Sequence, residues 1–195
     1  MTKLRFILAV VLVAIATVAF AQSHSDAPKS VTQSDAQKSF DAMKALAGGW
    51  EGRVKVDPQV PGMEDTDVHI SMRVTSRGNA LVHEMQEAGT PLDPTKYDHP
   101  VTMFYLDGDH LTLVHYCDAG NRPHMVARTS PDGKKIEFDF VDLSGGNENG
   151  HMYHAVFTVI DNNHHAEDWT YMMPGDKPMH AHFDLKRTTE QASLK

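Results

Sequence analysis

The chain has 195 residues, with 26 acidic against 18 basic side chains, a formal net charge of −8, 13 histidines and one cysteine. This length is typical of one domain with an ample core. The acidic charge speaks against nucleic acid and anionic lipid as partners, because both repel a negative surface. The lone Cys117 excludes an intrachain disulfide.

The first 21 residues are predicted to be a signal peptide. Lys3 and Arg5 form a basic start, residues 6–20 are an apolar run, and a small-x-small cleavage motif ends at Ala21. The run is too short to be a good stop-transfer helix. We therefore expect a periplasmic or secreted protein with no integral membrane segment after cleavage, beginning with a flexible leader over residues 22–33.

One amphipathic helix is predicted over residues 35–47. Ser34 and Gln37 have the spacing of a capping box, in which each side chain satisfies an open backbone donor of the other residue. Apolar side chains recur at helical spacing behind this start, and Gly48 ends the helix.

About ten strands, separated by turn signals roughly every ten residues, are predicted after the helix. Val68, Ile70 and Met72 alternate with polar residues, which is typical of a half-buried strand. The predicted strands are 50–57, 68–75, 80–87, 101–106, 111–117, 123–129, 135–141, 152–160, 165–173 and 179–188. This pattern predicts an all-β, up-and-down antiparallel barrel over residues 34–189, because closure removes exposed edges. A two-sheet sandwich is the alternative, and residues 190–195 are expected to form a C-terminal tail.

Three stretches of the sequence resemble known barrels. Residues 46–52 resemble the Leu-x-Gly-x-Trp-x-Gly start of lipocalin-like (calycin) barrels, and this resemblance implies that Trp50 packs across the barrel floor. Residues 113–123 and 180–187 resemble bacterial lipocalin-like domains of unknown function. Those domains are distantly similar to nitrobindins, which are haem-binding β-barrels. The resemblance thus implies a lipocalin-like barrel and introduces haem as a candidate cofactor.

The resemblance also implies a position for the haem ligand. In nitrobindins a histidine near the end of the last strand holds the iron, and His182, and less well His180, match that place. Strand alternation, however, puts both histidines on the face opposite Phe183. If the apolar face lines the interior, both point to solvent, unless a bulge near Pro178 or a wide polar mouth turns them inward.

A second histidine, His115, shares its predicted strand face with Leu111, Leu113 and Cys117 and is expected to point inward. A buried imidazole needs a hydrogen-bond partner, for which His124, Tyr105 and Glu84 are available. His115 is interpreted either as a structural histidine or as the polar anchor of a mostly apolar pocket. The candidate ligand-binding residues are His115, His124, Trp50, Tyr105, Met103 and Cys117.

His180 and His182 also have the spacing by which one strand offers two imidazoles to one metal ion. A third ligand from His115, His124 or Glu84 would complete a zinc or copper site. This pattern alone is a weak signal, so a metal site stays an alternative.

The remaining features favour structural roles. His164 and His165 follow an Asp-Asn-Asn turn and are expected to be loop-exposed, and Trp169 is expected to pack in the core or at the rim. No nucleophile elbow, phosphate-binding loop or His-Glu-x-x-His motif is recognisable, so the sequence does not favour an enzyme.

The sequence therefore predicts an exported small-molecule-binding protein that holds a largely apolar ligand, with haem as one candidate, inside a β-barrel. Two alternatives stay open. One is a metal-binding protein or metal-dependent enzyme that uses a histidine cluster. The other is a non-catalytic interaction domain whose barrel is filled by side chains.

Overall fold

The computed structural model describes residues 33–129 and 133–188. The predicted signal peptide, the leader up to residue 32 and the tail over 190–195 lie outside the described residues.

Helix α1, Asp35–Ala45, covers one end of the barrel. The Ser34 hydroxyl accepts a hydrogen bond from the Gln37 backbone N–H at 3.1 Å, which is one half of the predicted capping box. The other half is not formed, because the Gln37 side-chain amide donates to Asp41 instead, at 3.0 Å. The helix ends two residues earlier than predicted, since Leu46 is already the C-cap. None of the described helical segments has the length and apolar character needed to cross a bilayer.

Within the described ranges, ten antiparallel strands form one closed barrel. Each strand pairs with the next in sequence, and the last pairs with the first, so the sheet has no free edge. The predicted up-and-down barrel is confirmed, and the sandwich alternative is wrong. The strands are β1 Gly48–Asp57, β2 Thr66–Thr75, β3 Ala80–Glu87, β4 Val101–Asp107, β5 His110–Tyr116, β6 Arg122–Thr129, β7 Lys135–Ser144, β8 His151–Asp161, β9 His164–Met173 and β10 Lys177–Arg187.

Alternate residues of each strand face the interior, and aromatic rings fill part of it. The rings of Phe104, Phe138 and Phe157 lie with their centroids 5.4 to 6.0 Å apart, and all three are fully buried. Such edge-to-face and tilted contacts are the favoured arrangements of aromatic rings. The part of the barrel interior around these three rings is therefore filled by side chains.

The seam between β1 and β10 lies beside the helix. The Trp50 indole N–H donates to the Leu46 carbonyl at 2.8 Å, and the Arg187 guanidinium lies 4.1 Å from the Trp50 ring. Gly52 lets the two strands approach closely, because a Cβ at this position would lie 1.9 Å from the Asp184 carbonyl oxygen. Trp50 thus packs where the helix meets the barrel.

Five connections between strands lie at the opposite end of the barrel from the helix, which we call the loop end. It consists of residues 58–65, 88–100, 117–121, 145–150 and 174–176. Buried Asn121 donates to the carbonyls of Gly146 and Gly150 at 2.9 and 2.7 Å, and the Tyr171 hydroxyl donates to the Asn149 carbonyl at 2.6 Å. The loop over residues 145–150 is therefore fastened to the barrel wall.

Candidate functional site

A buried carboxylate surrounded by N–H groups lies in the barrel interior. Glu167 is fully buried, and His165 Nε2 lies 2.9 Å from its Oε1. The Trp169 indole N–H donates to Oε2 at 2.9 Å, and His83 Nε2 lies 3.2 to 3.3 Å from both oxygens. Both carboxylate oxygens therefore have partners.

The strand alternation and the barrel closure bring these side chains together. His165, Glu167 and Trp169 occupy alternate positions of β9 and so share its inward face. His83 comes from β3, which is not a neighbour of β9 in the sheet, so its contact with Glu167 spans the interior. The His165 ring also packs edge-on against Trp50, with centroids 4.1 Å apart.

Two opposing effects act on the pKa of Glu167. Burial raises the pKa, because it disfavours the charged form, whereas the charge of His83 and the hydrogen bonds from His165 and His83 lower it. The imidazoles prevail, and the pKa lies well below its usual range. Glu167 is thus an anion, and its buried charge is tolerated because N–H donors surround it.

A third imidazole lies beside this group. His115 is 1% exposed, and its Nδ1 lies 2.8 Å from the Thr102 hydroxyl. Burial, together with the charge of His83, lowers the pKa of His115 to about 3, so the ring is neutral at neutral pH. His83, Thr102 and His115 occupy paired positions on β3, β4 and β5. The rings of His83 and His115 lie 6.2 and 5.6 Å from the Trp169 ring.

Three imidazole nitrogens in the interior have no hydrogen-bond partner among the described residues: His83 Nδ1, His115 Nε2 and His165 Nδ1. All three residues are at most 1% exposed. A buried polar group without a partner costs about 1–3 kcal/mol. A molecule that hydrogen-bonds to these nitrogens would remove that cost. The internal histidine site is defined as His83, Thr102, His115, His165, Glu167 and Trp169.

The structure brings only part of the predicted ligand-binding set into the interior. Trp50 and His115 are buried there, and Cys117 is half-buried at the loop end. Met103 and Tyr105 are half-buried on the outer face of β4, because its even-numbered positions face the interior. Neither of these two side chains lines the internal histidine site.

His124 also lies on the outer face. Its Nδ1 is 3.3 Å from Asp142 on β7. The partner of His115 is therefore Thr102, and not His124, Tyr105 or Glu84 as the sequence suggested.

Both histidines matched to the haem ligand are exposed on the outer face of β10. His182 Nδ1 lies 2.6 Å from Asp168, and His180 Nδ1 lies 3.2 Å from the Thr170 hydroxyl. The β9–β10 pairing is regular past Pro178, so no bulge turns either ring inward. These two residues consequently do not fit a haem held inside the barrel.

Sequence reasoning missed His83 and Glu167, and its expectation for His165 is wrong, since His165 is fully buried. Strand β9 begins directly after the turn, so His164 faces outward and His165 faces inward. The sequence contained a usable sign of this arrangement. His165, Glu167 and Trp169 occupy alternate positions along the strand, so all three lie on the same face.

A second group of polar side chains lies at the loop end. One potential ligand atom from each of Asp98, Cys117 and Asp118 lies within 4.8 Å of the others. Burial and the charge of Asp118 raise the pKa of Asp98 to about 6, and burial raises the pKa of the Cys117 thiol. The thiol is therefore protonated at neutral pH, which makes it a poor metal ligand.

The fold defines this protein as a closed antiparallel β-barrel domain with a polar cluster inside. No family model matches the chain, and no curated protein matches it. Among solved structures it is similar to Rv2717c from M. tuberculosis, with a TM-score of 0.57 and 16% identity, covering 77% of this chain and 97% of that one. It is also similar to a protein of unknown function from the DUF3598 family of Nostoc punctiforme, with a TM-score of 0.41, 8% identity, and 75% and 48% of the two chains covered. At this identity, the likeness to Rv2717c concerns the barrel fold.

Proposed function

We propose that the protein is a small-molecule-binding barrel whose guest contacts the internal histidine site. The supporting observation is the set of three buried imidazole nitrogens without partners, on His83, His115 and His165. Pockets for small molecules are mostly apolar and contain a few polar groups at fixed positions. The internal histidine site fits this description, because aromatic rings surround its three imidazoles.

The chemistry of the site favours a compact, neutral guest with an apolar body and one hydrogen-bonding group. Phe104, Phe138 and Phe157 occupy the neighbouring level, which limits the size of the guest. A cation finds no free carboxylate, because both oxygens of Glu167 already accept hydrogen bonds. An anion would have to give up its hydration in this fully buried site, which costs free energy.

Export is part of the proposal. It is supported by the basic start, the apolar run over residues 6–20 and the cleavage motif that ends at Ala21. The intact mass of the protein recovered from a periplasmic or culture fraction should then correspond to a chain that begins at Gln22. A recovered chain that still begins at Met1 contradicts this part.

The binding proposal is tested by titrating the purified protein with phenol, indole and haemin, the last because of the lipocalin-like resemblance. Trp169, which contacts both His83 and His115, reports on the site through its fluorescence. We expect a saturable change in emission and a higher midpoint of thermal unfolding. A neutral probe present at 100 times its Kd adds about 2.7 kcal/mol of stability.

Matched substitutions locate the guest. His115→Leu should abolish the response, whereas His124→Leu, on the outer face, should leave it unchanged. If a well-folded protein gives no saturable response to any probe, the proposal fails. The alternative of an interaction domain with a filled barrel then stands.

A further inference from the structure

A groove of about 340 Å³ lies on the outer surface of the barrel, across β9, β10 and β1. The side chains around it come from three neighbouring strands, and we call it the outer groove. They are Lys55, Asp57, Asp168, Thr170, His180 and His182. These outward side chains are separate from the internal histidine site.

Both histidines of the groove are held through the same ring nitrogen. His182 Nδ1 lies 2.6 Å from Asp168, and His180 Nδ1 lies 3.2 Å from the Thr170 hydroxyl. Among the described residues, no hydrogen bond uses either Nε2 atom. Histidines that bind metals are typically oriented in this way, by a hydrogen bond at the nitrogen that does not face the metal.

The strand places the two free nitrogens on one face. His180 and His182 are two positions apart on β10, so their side chains point in the same direction, and both are exposed. Neutral imidazole is a good ligand for zinc, copper and nickel ions. From this geometry, we propose that the outer groove binds one divalent transition-metal ion through Nε2 of His180 and Nε2 of His182.

Two neighbouring charged residues on β1 should change the metal affinity of this site in opposite directions. Asp57 is paired with His180 and adds a negative charge to this part of the groove, whereas Lys55 is paired with His182 and adds a positive charge. Removing the Lys55 charge should therefore strengthen cation binding, since like charges repel. Water completes the coordination of the ion.

The experiment is calorimetric titration of the full chain, without an affinity tag, with ZnCl₂ and separately with NiCl₂. We expect one ion per chain for at least one metal. His180→Ala and His182→Ala should each weaken binding at least tenfold, and Lys55→Ala should strengthen it. Circular dichroism checks that each variant keeps its strands.

The matched control is His154→Ala. His154 is also held through Nδ1 by a carboxylate, Asp139 at 3.1 Å, but no second histidine lies two positions away on its strand. We expect its metal affinity to equal that of the parent protein. The proposal is overturned if the parent binds neither metal, or if His180→Ala and His182→Ala bind as the parent does. Because the internal site is not part of this measurement, the two proposals fail independently.

Discussion

Glu167 is the residue at which burial and charge oppose each other most strongly. His83, His165 and Trp169 direct N–H groups at its two oxygens inside the barrel. Such an arrangement is weak evidence for added stability, because an apolar replacement of the whole group can be equally stable. Removing Glu167 alone is different, since the ring nitrogens of His83, His165 and Trp169 that face it are then left buried without that partner.

Replacing Glu167 by alanine should therefore lower the free energy of unfolding by about 3–5 kcal/mol. Glu167→Gln keeps the shape and one acceptor oxygen and should lose less. Urea denaturation of both variants measures the difference. Equal losses for the two substitutions would contradict the role given to the hydrogen bonds.

At the scale of elements, the seam between β1 and β10 depends on one glycine. A Cβ at residue 52 would lie 1.9 Å from the Asp184 backbone oxygen, and backbone cannot move aside as a flexible side chain can. Gly52→Ala should separate the paired strands and cost about 1–3 kcal/mol of stability. Arg53→Ala, on the exposed face of the same strand, removes only a surface ion pair with Asp67 and is the control. If the two variants unfold at the same urea concentration, the close approach at the seam is unimportant.

The elements could be predicted from the sequence because each strand is bounded by residues that favour turns. Gly108, Gly120, Gly133 and Gly175 all have positive φ and lie in connections between strands. Predicted strand boundaries therefore agree with the observed ones to within about two or three residues.

The interior site could be predicted only in part. The alternation of inward and outward positions along β5 correctly predicted that His115 points inward, because its neighbours on the same face are apolar. It failed for His165 and Glu167, whose polar side chains interrupt the apolar face of β9. The contact between Glu167 and His83 could not be predicted either, since the two residues are 84 positions apart and come together only when the barrel closes.

For the whole molecule, the buried groups set how stability depends on pH. The pKa of His115 falls to about 3 on folding from an ordinary value of 6.5, so the unfolded chain binds more protons in this window. The contribution of His115 to stability should thus be complete above pH 6.5 and decline as the pH falls towards 3, by up to tenfold in the folding equilibrium constant per pH unit. The pKa of Glu167 lies below its ordinary 4.5, so its contribution is present above pH 4.5 and is lost only in stronger acid.

Urea denaturation at pH 7 and pH 5 tests this dependence, since only His115 of the two groups titrates between these values in the unfolded chain. His115→Gln retains a side chain that can hydrogen-bond to Thr102 but does not titrate, so its loss of stability over this interval should be smaller. Parallel losses in the parent and the variant would show that His115 does not set the acid sensitivity.

The pairing of the last strand with the first has a kinetic consequence. Arg187 donates to the Ala47 carbonyl, 140 positions earlier in the chain, at 2.8 Å. Contacts between residues so distant in sequence form slowly, because a large loop must close before they contribute. A nascent chain that lacks β10 would expose the free edge of β1 and would be prone to strand pairing with other copies. The final strand therefore protects the protein against self-association, and truncations just before Lys177 should aggregate.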